Sequence, residues 1–232
     1  MKKLAEKPGL IEGIYNYCDQ WCERCPFTDR CLNFALSEKH FTKSDKGLDD
    51  EIFWKELHEI FQLTLGMVKE AAEEMGVDLD DIDAEEVRIW QEKFDNLAEN
   101  HSCAVMSKAY ADNVTQWFDN AGNIFEFKAG ELASNLQIGL PESEIERELE
   151  RIHNMIEIIR WYQYQIHIKI LRALRSKWED DQTDDDIQND SNGSAKVALI
   201  GIDRSIGAWG AMLSMFPEKE DSIYDILVPL EK

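Results

Sequence analysis

Four cysteines near the amino terminus are the side chains best suited to chemistry in this 232-residue chain. Cys18, Cys22, Cys25 and Cys31 have the spacing C-x3-C-x2-C-x5-C. Thiolates this close together can wrap one loop around a single centre, and soft thiolates suit Zn²⁺ or an iron–sulfur cluster. The spacing therefore predicts a closed four-thiolate metal site.

Two metals fit this predicted site, and both remain open at this point. Structural zinc is the leading interpretation, because it is the usual occupant of a closed four-cysteine site. A 4Fe–4S cluster is the alternative, favoured by the short span and by the Cys25-Pro26 step, which also occurs in ferredoxin-type runs. Structural zinc predicts an adaptor or regulatory protein whose amino-terminal module is stabilised by the metal. A 4Fe–4S cluster predicts a redox protein.

The first three cysteines, C-x3-C-x2-C, also resemble the cluster-binding triad of radical enzymes that cleave S-adenosylmethionine. That resemblance implies an α/β barrel and a 4Fe–4S cluster with one iron free of protein ligands. The chain departs from the pattern, because its apolar periodicity predicts helices and Cys31 offers a fourth ligand.

A second, weaker metal site is conceivable inside the helical region. Glu150 and His153 form an E-x-x-H motif of the kind found in carboxylate-bridged di-iron bundles. His101 and Glu157 could complete such a site, which would make the protein a metal-dependent oxidoreductase. Only one such motif is evident, whereas di-iron bundles use two.

A polar stripe beside this motif has a simpler interpretation. His153, Arg160 and His167 share one heptad position, and Tyr164 lies beside them. Arg160, Tyr164 and His167 could line a binding cleft. The competing interpretation is a hydrogen-bonded polar layer that specifies the register of neighbouring helices.

The composition limits the classes of partner. The formal net charge is −22, which repels phosphate backbones and anionic lipid. We therefore expect no nucleic acid and no membrane, but a protein partner or a homodimer formed through helical surfaces. Residues 1–12 contain no apolar signal sequence, so we expect a cytoplasmic protein, where clustered cysteines act as ligands rather than disulfides.

The elements that must position these residues are predicted to be helices. Glycine (12) and proline (5) are scarce, and apolar residues recur at spacings of three and four. The pattern predicts an all-α fold, with a four-cysteine module over 1–41 and an acidic helical bundle over 48–232. Its five main helices are expected at 50–75, 84–120, 123–138, 142–178 and 194–216, with a linker at 42–47, a mobile acidic loop at 179–193 and a short helix at 222–230.

Two of these helices carry informative faces. Residues 142–178 keep strict heptad spacing and are apolar on the opposite side as well, which predicts a central helix or one that also forms a dimer seam. The helix at 194–216 places small residues on one face, which would let a neighbouring helix approach closely. They are Ala198, Gly201, Ser205 and Ala208.

Overall fold

The structure, a computed structural model, describes residues 8–41, 51–179 and 189–231, and in these ranges it is helical without a β-strand. This confirms the all-α prediction. The helices are α1 (Leu32–Phe41), α2 (Glu51–Met75), α3 (Ala84–Glu99), α4 (Ser102–Asn120), α5 (Gly122–Gln137), α6 (Glu142–Glu179), α7 (Asp190–Met215) and α8 (Glu220–Glu231). None of the helices in these ranges combines the length and apolarity needed to cross a membrane.

The chain divides into two compact units, Met1–Glu92 and Lys93–Lys232. The first contains the cysteine segment, α1, α2 and the beginning of α3. The second contains the end of α3 and helices α4 to α8. The linker predicted at 42–47 lies outside the described residues, so the division predicted there stays a prediction.

Helices α6 and α7 form the most extensive contact of the second unit. Ser191 Oγ donates to the Ala173 carbonyl at 2.9 Å, whereas Arg204 Nη1 reaches the Tyr162 hydroxyl. As the residue numbers increase along α7, the numbers of their contact partners on α6 decrease. The two helices are therefore antiparallel. Helices α4 and α8 pack against this pair and against each other.

The small-residue face of α7 lies in this contact, as its sequence predicts. Ala198, Gly201, Ser205 and Ala208 are all buried. A Cβ placed on Gly201 would lie 2.9 Å from Tyr162 Cδ1 and 3.0 Å from Ile166 Cγ1. Glycine is therefore required at this position by the approach of α6.

We expect Gly201→Ala to destabilise the protein by about 1–3 kcal/mol, because the fully buried Tyr162 ring must shift to admit a methyl group. Gly207 is the matched control on the same helix, since a Cβ there meets nothing within 4 Å. Gly207→Ala should stabilise by about 0.5–1 kcal/mol through helix propensity. Urea unfolding of both variants measures the difference, and equal stabilities would show that the helices do not meet at Gly201.

Two predicted boundaries differ from the structure. The helix expected at 84–120 is two helices, because the chain turns at Asn100 and His101. Asn100 Nδ2 donates to the Asn96 carbonyl at 2.7 Å, and His101 Nδ1 accepts the Cys103 N–H at 3.2 Å to cap α4. The His101 bond replaces the backbone bond that the Cys103 N–H would make in a continuous helix.

The acidic loop expected at 179–193 is shorter than predicted at its carboxyl end. Residues 180–188 lie outside the described ranges, but α7 already begins at Asp190. Asn189 caps it by accepting the Asn192 N–H at 2.8 Å, and Arg172 binds the Asp190 carboxylate through two hydrogen bonds of 2.6 and 2.8 Å. The ion pair and the cap together stabilise helix where composition alone suggested a loop.

Candidate metal centre

Three single-turn 3₁₀ helices position the four cysteines. They are Ile14–Tyr17, Cys22–Arg24 and Thr28–Arg30, and α1 follows them. Cys18, Cys25 and Cys31 each directly follow one of these turns, and Cys22 begins the second. The segment is closed on itself where the Ile11 N–H donates to the Arg30 carbonyl at 3.0 Å.

All four thiols line one small cavity. Its volume is about 30 Å³, and Trp21 and Phe34 contribute to its apolar wall. The thiols are free and partly exposed. The predicted ligands thus line one common space.

Backbone N–H groups point at two of the sulfurs. The Phe27 N–H donates to Cys25 Sγ at 3.4 Å, and the Gln20 N–H bonds to Cys18 and lowers the pKa of that thiol. Gln20 has a φ of 60°, and no other non-glycine residue of the described ranges has a positive φ. Donors of this kind orient sulfur ligands and tune the metal that they hold.

Burial and mutual repulsion raise the pKa of two thiols. For Cys18 the larger cause is burial, and the charges of Cys31, Asp19 and Cys25 add to it. For Cys22 burial again comes first, followed by the charges of the three other thiols. Negative charge on neighbouring sulfurs therefore disfavours ionisation of Cys18 and Cys22, and a bound cation would offset this repulsion.

The donor set fits a soft metal ion, although the side chains are not in ligand geometry. Over residues 8–41, 51–179 and 189–231, no group of three or more histidine, cysteine, aspartate or glutamate side chains is arranged to hold a metal. The cysteines therefore share a cavity and a set of N–H donors without yet forming a coordination sphere. Four thiolates are the donors expected for zinc or an iron–sulfur cluster.

The second site considered from the sequence receives no support from the positions of its residues. His153 is 75% exposed and pairs with Glu157 on its own helix, with 3.4 Å between Nε2 and Oε1. His101 caps α4 through its Nδ1 atom, and Glu150 is exposed. The structure does not gather these side chains into a metal-binding group within the part of the chain it describes.

The polar stripe on α6 is mostly exposed, since His153, Arg160 and Tyr164 all are. The Arg160 guanidinium lies 3.9 Å from the centre of the Phe118 ring of α4, and Nη1 donates to Gln163 at 3.3 Å. The buried Gln163 amide beside the stripe donates to the Ala111 carbonyl at 3.0 Å and to Thr115 Oγ1 at 2.6 Å. These cross-helix bonds of Gln163 favour a polar contact that fixes the register of α6 against α4.

His167 is half-buried and also bonds across to α4. Its Nδ1 lies 3.0 Å from Ser107 Oγ, with which it shares a hydrogen bond. Burial lowers the pKa of His167, and the nearby Lys108 lowers it further. The unfolded chain therefore binds a proton at this histidine more readily than the folded chain does.

We expect His167 to make stability depend on pH. Its lowered pKa means that the folded state loses stability as the pH falls below the unfolded pKa of about 6.5. His167→Gln should remove this part of the loss, whereas the exposed His153→Gln should not. Urea unfolding at about pH 8 and pH 5 tests this. The expectation is wrong if His167→Gln loses as much stability between these two pH values as the unmodified chain.

Sequence reasoning missed the backbone donors of the metal centre. Gln20 and Phe27 contribute N–H groups, and these carry no side-chain signature. The sequence does contain part of a signal for these donors, because Gln20 and Phe27 each lie two residues after a cysteine. Asp19 also forms a local turn beside Gln20 by accepting the Trp21 N–H at 3.2 Å. Trp21, which lies between two of the cysteines in the sequence, is buried and lines the cavity.

Comparison of the chain with protein-family models, with curated proteins and with solved structures finds no match.

Proposed function

We propose that the chain is a cytosolic metal-binding protein in which Cys18, Cys22, Cys25 and Cys31 hold one structural zinc ion. The metal stabilises the fold of the amino-terminal segment. The helical surface binds another protein, for which this chain acts as an adaptor or regulator. The observation that carries the proposal is that all four thiols line one cavity. Free thiols in this number suit a reducing compartment.

The lack of a hydrophobic core in the cysteine segment supports a structural role for the metal. Of the described residues 8–38, Trp21 is the only one that is buried. Segments of fewer than about 40 residues usually require a disulfide, a metal or a partner to fold. A zinc ion can supply this stability, since zinc-finger peptides bind it with apparent free energies of about 10–16 kcal/mol.

Zinc is the leading occupant, because it is the usual metal of a closed four-cysteine site. The alternative is a redox protein whose four cysteines bind a 4Fe–4S cluster, since four thiolates within a short segment also bind such clusters.

Metal analysis of protein purified without air distinguishes the two. We expect a colourless protein with one zinc per chain. A brown protein that contains iron and acid-labile sulfide would overturn the zinc proposal and establish the cluster. Protein with neither metal, after purification in the presence of both, would overturn the metal centre itself.

An exposed apolar stripe on α2 supports the adaptor role. Trp54, Phe61, Leu65 and Val68 lie on one face of this helix, and each is about half exposed. A stripe at this spacing is the kind of surface that lies in a groove of a partner or pairs with another helix. Sedimentation velocity over a range of concentrations tests the homodimer, and a monomer at all concentrations would leave a different protein as the partner.

A further inference from the structure

A second cavity lies within the carboxyl-terminal unit, between helices α4, α6, α7 and α8. Its volume is about 470 Å³, which lies within the range of about 300–1,000 Å³ typical of small-molecule sites. It takes no residue from the four-cysteine centre, so an inference about it does not depend on the proposed metal. The chemistry of its lining side chains determines which ligands it can bind.

The walls of this cavity are aliphatic. Ile166, Ile170 and Leu174 of α6 face Ala195, Ala198 and Ile202 of α7 across it, and none of its described lining residues is aromatic. The small side chains of Ala195 and Ala198 leave open space beside larger ones on α6. Such a wall offers dispersion contact to a flexible hydrocarbon, whereas it offers no ring on which a planar ligand could stack.

The α6 and α7 walls set the length over which a ligand can contact this cavity. Their lining residues run from 166 to 174 on α6 and from 195 to 202 on α7. At a rise of 1.5 Å per residue these stretches are about 10–12 Å long. An extended alkyl chain that lies along both helices can contact aliphatic side chains over this whole length.

The polar groups of the cavity determine the end group of such a ligand. Cys103, Ser107 and Glu231 are its polar lining residues, and none of the described residues that line it carries a positive charge. The Ser107 hydroxyl is already bonded to the Ala104 carbonyl and to His167. The Glu231 carboxylate would repel an anionic end group, so an uncharged end group is favoured over an anionic one.

We propose that this cavity binds an unbranched aliphatic chain with an uncharged end group. The chain lies between α6 and α7, and its end group lies near the Cys103 thiol. Burial of each additional methylene should strengthen binding about fourfold, which corresponds to the usual transfer free energy of a CH₂ group. The gain should stop once the chain fills the cavity.

A series of n-alkanols tests the proposal on the full-length protein by isothermal titration calorimetry. Affinity is expected to rise about fourfold per carbon and then reach a plateau. 1-Decanol should bind at least about tenfold more tightly than decanoate, because of Glu231. Absence of saturable binding, or affinity that rises along the whole series without a plateau, would overturn the proposal.

Two further measurements locate the ligand. Ala195→Phe should weaken 1-decanol binding at least about tenfold by filling the cavity, whereas Ala133→Phe on the exposed face of α5 should leave it unchanged. Equal binding by the two variants would contradict the proposed site. In the unmodified protein, 1-decanol should slow the alkylation of Cys103 by iodoacetamide, read from the peptide 94–108, and an unchanged rate would also contradict it.

Discussion

Replacement of Cys25 by serine is expected to remove the metal and to unfold the amino-terminal segment. Cys25 lines the four-thiol cavity and accepts the Phe27 N–H. A serine hydroxyl is a poor ligand for a soft metal, and changes outside the coordination sphere alone cost about 10–100-fold in affinity. We therefore expect the metal affinity to fall by more than about 100-fold.

Metal content and limited proteolysis measure this effect. Arg24 and Arg30 lie between the cysteines, so trypsin should cut there in Cys25→Ser, and in the unmodified protein only after a chelator removes the metal. Cys103→Ser is the matched control, because Cys103 is exposed on α4 and lies outside the thiol cavity. Cys25→Ser that keeps a full complement of metal and its resistance to trypsin would contradict the four-cysteine centre.

Replacement of Trp209 by alanine is expected to cost the second unit about 3–5 kcal/mol. The Trp209 ring is fully buried on α7, and its centre lies 5.0 Å from that of Trp117 in an edge-on contact. Its Nε1 donates to the Tyr110 hydroxyl at 3.4 Å. The variant therefore leaves a cavity and a buried hydroxyl without this partner, at the point where α4 and α7 meet.

Urea unfolding and amide hydrogen exchange in α4 and α7 measure this loss. Trp54→Ala is the control, since Trp54 is 53% exposed on α2, and surface substitutions usually change stability by about 0.5 kcal/mol or less. Trp209→Phe should recover part of the stability, because it restores aromatic volume without the indole N–H. A loss below about 1 kcal/mol in Trp209→Ala would show that this cluster is not the core of the unit.

Periodicity was a reliable guide for the long helices. The heptad pattern predicted a helix over 142–178, and α6 spans Glu142–Glu179. Ile159 and Ile166 of its seam are almost fully buried. The apolar residues on its opposite side are less so, since Trp161 is 36% and Ile168 is 59% exposed. Periodicity identifies a face that is able to pack, but it does not show whether a neighbour covers that face.

Helix boundaries set by side-chain hydrogen bonds to the backbone were harder to predict. His101 lies in the middle of the helix predicted at 84–120, yet it caps α4 instead. The balance between one side-chain cap and a few backbone bonds is about 1 kcal/mol. A difference of this size does not alter the hydrophobic pattern from which helix boundaries are predicted.

The sequence by itself determined that the chain is helical, that small residues of α7 allow a close helix pair, and that four cysteines are spaced as ligands. These are properties of local spacing, which the chain carries before it folds. Only the tertiary structure decided that the four thiols share one cavity and that Gln163 and His167 bond across to α4. It also left an aliphatic cavity between α6 and α7. Such features depend on distances between residues far apart in the chain, and those distances follow from how complete helices pack.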